Sequence, residues 1–295
     1  MVEGSRAAGL SAGRMKTHSA FLTLLLLLVW PTKAEAGCGL ESCPAVVPTG
    51  AESGRMFRIP VRTELTDYEI SSASGQYVRT TAGVEFWGQD HIVFSASLPF
   101  LFTSPDEGDR EAGLGNLLGN VQVMTSPLSW LSVAGGILVE APTGDSDLVD
   151  QHWVALNHVQ LRVDMGAPVL MWRGGYLKAF GGTGGDAGGE DGHDHDHDHH
   201  HGTNSDPIVI DPHGSQELRM QAGVGLLIGD WTPALFLDSA IVLDDASAGE
   251  QFHSVGTRLQ WALSEDITTE VLSLIPVTEQ RRYDWRTSLG VTIQR

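Results

Sequence analysis

From Met56 onward, hydrophobic and polar residues alternate in segments of strand length. In the last segment Tyr283, Trp285, Leu289, Val291 and Ile293 share one parity, and Arg282, Asp284, Arg286, Ser288, Thr292 and Gln294 share the other. A period of two places one set on each face of a β-strand. Leu218, Met220, Ala222, Val224, Leu226 and Ile228 oppose Glu217, Arg219, Gln221, Gly223 and Gly225 in the same way. Val255, Leu259, Trp261 and Leu263 oppose Arg258, Gln260 and Ser264. Extended along the chain, the pattern predicts twelve strands, near 57–70, 77–89, 91–105, 114–126, 128–142, 151–165, 168–181, 216–229, 231–244, 251–264, 267–278 and 282–294.

The connections alternate in length. Gln89-Asp90, Ser126-Pro127, Gly166-Ala167, Gly229-Asp230 and Ser264-Glu265-Asp266 read as tight turns. Between them fall longer links at 71–76, 104–113, 143–150, 182–215 and 245–250. An even number of neighbouring antiparallel strands, with short turns on one rim and long loops on the other, describes a transmembrane β-barrel over 56–295. Closure removes the sheet edges that lipid cannot hydrate. A secreted sandwich or lipocalin-like barrel also alternates, so the faces must be weighed by content.

The apolar parity carries aromatic residues near strand ends: Phe57, Trp130, Trp153, Trp261 and Trp285, placed as an interfacial girdle would be. The opposite parity carries charges deep inside strands: Arg58, Arg62, Glu64, Arg79, Glu85, Arg162, Arg219, Asp238, Arg258 and Arg286. In a membrane barrel these ten line a polar lumen. His152 and His158 share that parity with Arg162. In the strand at 168–181, Arg173 and Lys178 fall on opposite parities, so neither face is wholly apolar.

The N-terminus changes the picture of where the chain resides. An apolar run, Ala20–Trp30, follows Arg14 and Lys16 and precedes Ala34-Glu35-Ala36. A charged start, a short apolar middle and small residues at the cleavage positions make residues 1–36 a secretory signal. Met15 is the more natural start, and the mature chain is expected to begin at Gly37. Residues 37–55 hold the two cysteines, Cys38 and Cys43. In an oxidising compartment they close a small disulfide loop; lipidation of Cys38 is the alternative. A net charge of −19 over 295 residues argues against nucleic acid as a partner. No apolar run reaches the ~18–20 residues of a membrane-spanning helix. The expected partners are outer-membrane lipid and a small solute or metal ion.

One resemblance adds to this reading. Gly113-Leu114-Gly115-Asn116-Leu117-Leu118-Gly119-Asn120-Val121, followed by Ala141-Pro142-Thr143-Gly144-Asp145, resembles a strand entry and Pro-Thr-Gly loop of a known family. That family comprises outer-membrane transporters named after the MetA pathway of phenol degradation. Here Asn116 stands where the family usually has Asp. The resemblance implies a Gram-negative outer-membrane channel for small solutes.

The link at 182–215 carries its own chemistry. A glycine-rich lead runs into His193-Asp194-His195-Asp196-His197-Asp198-His199-His200-His201. Imidazoles suit Zn, Ni or Cu(II), and an extended tract lets two or three converge on one ion. Counting from a periplasmic N-terminus places this loop outside the cell. Two alternatives to a channel remain: a secreted β-domain that sequesters metal through this loop, and a barrel lipid hydrolase. The chain has no Gly-x-Ser-x-Gly, and His152 with Ser254 or Ser288 is the pairing a hydrolase would call on. A non-enzymatic channel is the expectation.

Overall fold

A computed structural model describes residues 57–295, apart from 71–72, 89–90, 107–108, 147, 150, 181–214 and 244–247. The proposed signal, Cys38, Cys43 and the histidine tract therefore lie outside the described residues. The strands are β1 (Phe57–Ile70), β2 (Ala73–Gly88), β3 (Ile92–Pro105), β4 (Ala112–Leu114), β5 (Leu117–Leu128), β6 (Leu131–Ala141) and β7 (Trp153–Asp164). They continue as β8 (Pro168–Phe180), β9 (Gln216–Leu226), β10 (Trp231–Val242), β11 (Gln251–Ala262), β12 (Ile267–Pro276) and β13 (Trp285–Gln294). Each long strand pairs antiparallel with its sequence neighbour, and β13 returns to pair with β1. The short β4 and the longer β5 lie end to end along β3, so the closed sheet has twelve staves. No helix among the described residues is long and apolar enough to cross a membrane.

The staves follow the predicted segments closely, and the departures have local causes. The β1–β2 hairpin runs up to the pair Ile70↔Ala73, leaving two residues between the strands where a six-residue link was expected. The small polar residues there pair as well as any others. Ser126-Pro127 is not the turn after β5; the strand continues to Leu128 and the turn is Ser129-Trp130. Pro127 sits inside a register shift between Thr125 and Leu128, a bulge where a missing N–H is tolerated. The link between β12 and β13 is longer than expected, because β13 begins only at Trp285. At the predicted turns Gly166-Ala167 and Gly229-Asp230, the glycines adopt φ of +88° and +59°, which other residues rarely reach.

Burial separates the two candidate barrels. A soluble barrel keeps its apolar residues inside; here they are outside. Leu235 is 58% exposed and Ile275 62%, while Glu64 is 1% exposed and Glu217 is wholly buried. The same inversion runs around the barrel: Val121, Val123, Leu170, Trp172, Val224, Leu237, Val255 and Leu289 face out, and Gln122, Gln160, Arg162, Arg258 and Ser288 face in. Phe57, Phe86 and Phe94 pair side by side across three strands at the short-turn rim, where Trp231 stacks on Trp261 at 4.7 Å. Trp153 and Phe180 pair near the long-loop rim. An apolar belt between aromatic rims, with a polar interior, is the surface of a membrane-spanning barrel.

A charge placed on that belt should behave as it does in lipid. Leu235→Arg is expected to weaken folding into lipid vesicles by about 2–4 kcal/mol, read from urea-dependent refolding. A variant as stable as the parent would show that this face does not meet hydrocarbon.

Candidate functional site

All ten charged residues assigned by parity lie on the inward face, and most are held in ion pairs. Glu64 of β1 receives Arg79 of β2 at 3.0 Å and lies 3.6 Å from Arg286 of β13. Thr66 donates to the same carboxylate at 3.4 Å. Arg286 also donates to the Tyr77 hydroxyl at 3.1 Å and sits 4.3 Å over the Tyr283 ring. A second group forms where Arg62 pairs with Glu270, with Arg258 at 4.0 Å on its far side. Arg62 and Glu270 meet across β13 because the rung between them is Gly290, which presents no side chain. Arg258 reaches on to the Met171 sulfur at 3.2 Å.

Toward the short-turn rim, Arg58 lies 4.9 Å over the Trp87 ring and beside Glu85 in register. Arg162 pairs with Asp164 at 2.8 Å. Arg219 pairs with Glu217 at 3.0 Å, and Asp238 lines the central cavity. His158 is buried inside, its Nε2 3.4 Å from Gln122. Arg173 also points inward, whereas Lys178 is exposed on the outer face close to the long-loop rim. Their opposite parities thus serve different media. Breaking one of these buried pairs strands its partner as an uncompensated charge.

Two connections at the long-loop rim fold into the barrel. In the first, Leu148 is buried against Tyr68, Tyr77 and Leu101, with Val149 packed alongside. This segment is held by the break between β4 and β5. Asn116 donates to Glu140 at 2.8 Å, and its carbonyl oxygen accepts from the Gly144 N–H at 3.0 Å. Thr143 accepts from the Leu117 N–H at 2.9 Å, and the Leu114 carbonyl accepts from the Asp145 N–H at 2.8 Å. A Cβ at Gly144 would lie 2.7 Å from the Gly115 carbonyl carbon, so only glycine permits the approach. The loop thereby supplies partners for backbone groups freed where β4 and β5 shift register along β3. The two segments that carry the family resemblance are thus one interlocked structure.

The second connection, 277–284, brings Arg282 across the interior to Glu217; a second contact to that carboxylate measures 3.3 Å. The Arg282 guanidinium lies 4.2 Å over Phe252. Tyr283, expected on the outer face, is buried instead, its hydroxyl 2.8 Å from Ser254. It precedes the start of β13, so the parity of the strand does not govern it. Between the two infolded segments lies a cavity partly open to solvent. Val149, Arg173, Gln221, Phe236 and Tyr283 are among the residues that line it. The infolded segments were the part of the site that alternation could not reveal.

The pairing a hydrolase would need does not form at Ser254, whose hydroxyl is engaged by Tyr283. A different contact exists on the outer-face parity near the long-loop rim. Ser239 Oγ lies 2.9 Å from His253 Nδ1, and His253 Nε2 lies 3.1 Å from Gln251 Oε1. No cluster of three metal-ligating side chains occurs among the described residues.

No family model matches the chain. No curated protein matches it either. Solved structures do. An outer membrane channel from Pseudomonas putida F1 aligns over 86% of this chain and 100% of its own, with a TM-score of 0.60 and 10% identity. The chain has the fold of an outer-membrane channel. The KdgM porin, solved in complex with disordered oligogalacturonate, aligns over 80% of this chain and 98% of its own, with a TM-score of 0.49 and 10% identity. The NanC porin covers the same shares, at 0.48 and 14%. The lipid-compatible outer surface and this fold place the barrel in the outer membrane.

The interlock gives a direct test. Asn116→Asp would replace the Nδ2 donor 2.8 Å from Glu140 by a second carboxylate. We expect the infolded segment to loosen, with faster proteolysis between 142 and 152 and a larger conductance. Unchanged cleavage and conductance would show that Asn116 does not hold the loop.

Proposed function

We propose that this barrel is a channel for small solutes, without catalytic activity of its own. The observation that carries the reading is a solvent-connected cavity inside a closed barrel whose charged wall is braced by ion pairs. Such bracing holds a polar path open against collapse, while the infolded segments narrow its long-loop end. Membership of the family named after the MetA pathway is part of the proposal. Its support is that the two resembling segments, 113–121 and 141–145, interlock through Asn116, Thr143 and Gly144. The tract His193–His201 belongs to the connection between β8 and β9, and we assign it the capture of Zn, Ni or Cu at the outer rim.

Reconstitution in planar bilayers tests the channel. Discrete conductance steps are expected from the heat-modifiable, folded barrel. A folded barrel that conducts no ions and swells no solute-loaded liposomes would overturn the proposal. Deleting residues 186–201 should abolish micromolar zinc binding and leave the conductance without zinc unchanged. Equal zinc affinity of both forms would remove the metal role.

A second reading, hydrolysis of membrane lipid, draws on the chain Ser239–His253–Gln251, a nucleophile, a base and an orienting group within hydrogen-bonding reach. Ser239 is only 6% exposed, which keeps its hydroxyl from an ester carbonyl. We therefore expect no phospholipid turnover by the purified barrel. Turnover lost in Ser239→Ala would favour the hydrolase.

A further inference from the structure

Among the described residues the interior charges are not all paired, and one of the exceptions faces the cavity. Arg173 of β8 lies inside the barrel, only 8% exposed, and lines the central cavity. Its Nη2 has no hydrogen-bond partner. The directly paired residues on either side are amides, Gln160 of β7 and Gln221 of β9. Gln160 Nε2 is a second buried donor without an acceptor, and Gln122 Nε2 is a third. The carboxylates on the neighbouring strands are already engaged: Asp164 by Arg162, and Glu217 by Arg219 and Arg282. Asp238 lies one strand beyond Gln221 in register and has contacts of its own. A buried guanidinium with an unspent N–H, beside a further unspent amide donor and with no uncommitted carboxylate on the adjoining strands, is built to receive an anionic acceptor.

The wall next to it says what else the acceptor must carry. Leu138, Leu156 and Leu177 are paired side by side across β6, β7 and β8, on the inward face and toward the long-loop rim from Arg173. All three line the same cavity. Between Leu177 and Arg173 the inward position is Gly175, and Leu156 Cδ1 packs over it, so the apolar wall reaches down toward Arg173. Four residues of strand separate Leu177 from Arg173, about 13 Å. Resting on the channel reading, we propose that Arg173 anchors an anion subsite and that the barrel takes amphipathic organic anions. The carboxylate sits on Arg173, and the apolar body lies along Leu156 and Leu177. Such a solute uses both halves of the wall; an inorganic anion uses only one, and a neutral solute only the other.

The test compares 3-phenylpropionate, 3-phenylpropanol and chloride on the parent barrel, Arg173→Gln and Gln160→Glu. The second variant keeps the arginine and places a carboxylate next to it, so it separates loss of the site from loss of the fold. Heat-modifiable migration establishes that each is folded. Two readouts are used: liposome uptake, and binding to the detergent-solubilised barrel by tryptophan fluorescence. Both variants should lose about tenfold in 3-phenylpropionate affinity, the equivalent of one charge-assisted hydrogen bond. Uptake of 3-phenylpropanol should be unchanged, and chloride should compete weakly. Equal handling of acid and alcohol by the parent, or an unchanged acid affinity in both folded variants, overturns the subsite and leaves the channel standing. Arginine-dependent binding without uptake supports the subsite and overturns the channel.

Discussion

Everything in this molecule follows from one requirement, that no backbone amide be left unpaired in a medium that offers no hydrogen bonds. The pairing of β1 with β13 meets it, because it turns a sheet with two edges into one with none. Once closed, the barrel has only two kinds of side-chain position, and the alternation of the sequence assigns residues to them. The outside meets hydrocarbon, so Leu235 or Ile275 lies exposed without cost. The inside meets water and other side chains, so Glu64, Arg286 and Glu270 must find partners there. The break between β4 and β5 obeys the same rule: where the ladder shifts, the segment around Thr143 and Gly144 provides the missing partners.

Much of this was legible before any coordinates. Twelve staves and both glycine turns follow from period-two alternation and from the demand of a tight turn for positive φ. The ten inward charges follow from the same parity. What alternation could not supply was direction, since a soluble barrel and a membrane barrel share the pattern and differ in which face is buried. Nor could it foresee the infolded segments. Leu148 and Tyr283 belong to connections, where side-chain direction is set by tertiary contacts and not by a repeat. Tyr283 misled because it continues the parity of β13 although it stands outside that strand. The interlock left one trace in the sequence, the pairing of a Gly-Asn strand entry with a Pro-Thr-Gly loop.

The interior is unevenly finished. Along β1, β2 and β11–β13 Arg62, Arg79, Arg258 and Arg286 are tied to carboxylates, and that wall works as bracing. Along β5–β8 amides, one histidine and Arg173 stand among leucines with donors unspent, and Arg162 at the short-turn end is the guanidinium tied to a carboxylate there. With the ion pairs concentrated on one side and most unspent amide donors on the other, one wall is the more rigid. The infolded segments meet the wall at two places: 277–284 ties to Glu217 on β9, and the connection after β6 packs Leu148 over Tyr68 and Leu101 near the braced side.

The closure of β1 on β13 also bears on how the barrel comes into being. The hydrogen bond from Trp285 to Asp67 joins residues 218 positions apart, and the Arg62–Glu270 pair joins residues 208 apart. Neither contact exists until the last strand has been synthesised. Every shorter product has two open edges and an exposed greasy face, which is the condition under which chains aggregate. Such a polypeptide must be kept apart from its own kind until its final stave is in hand, and assembly becomes a single late event instead of a progressive one.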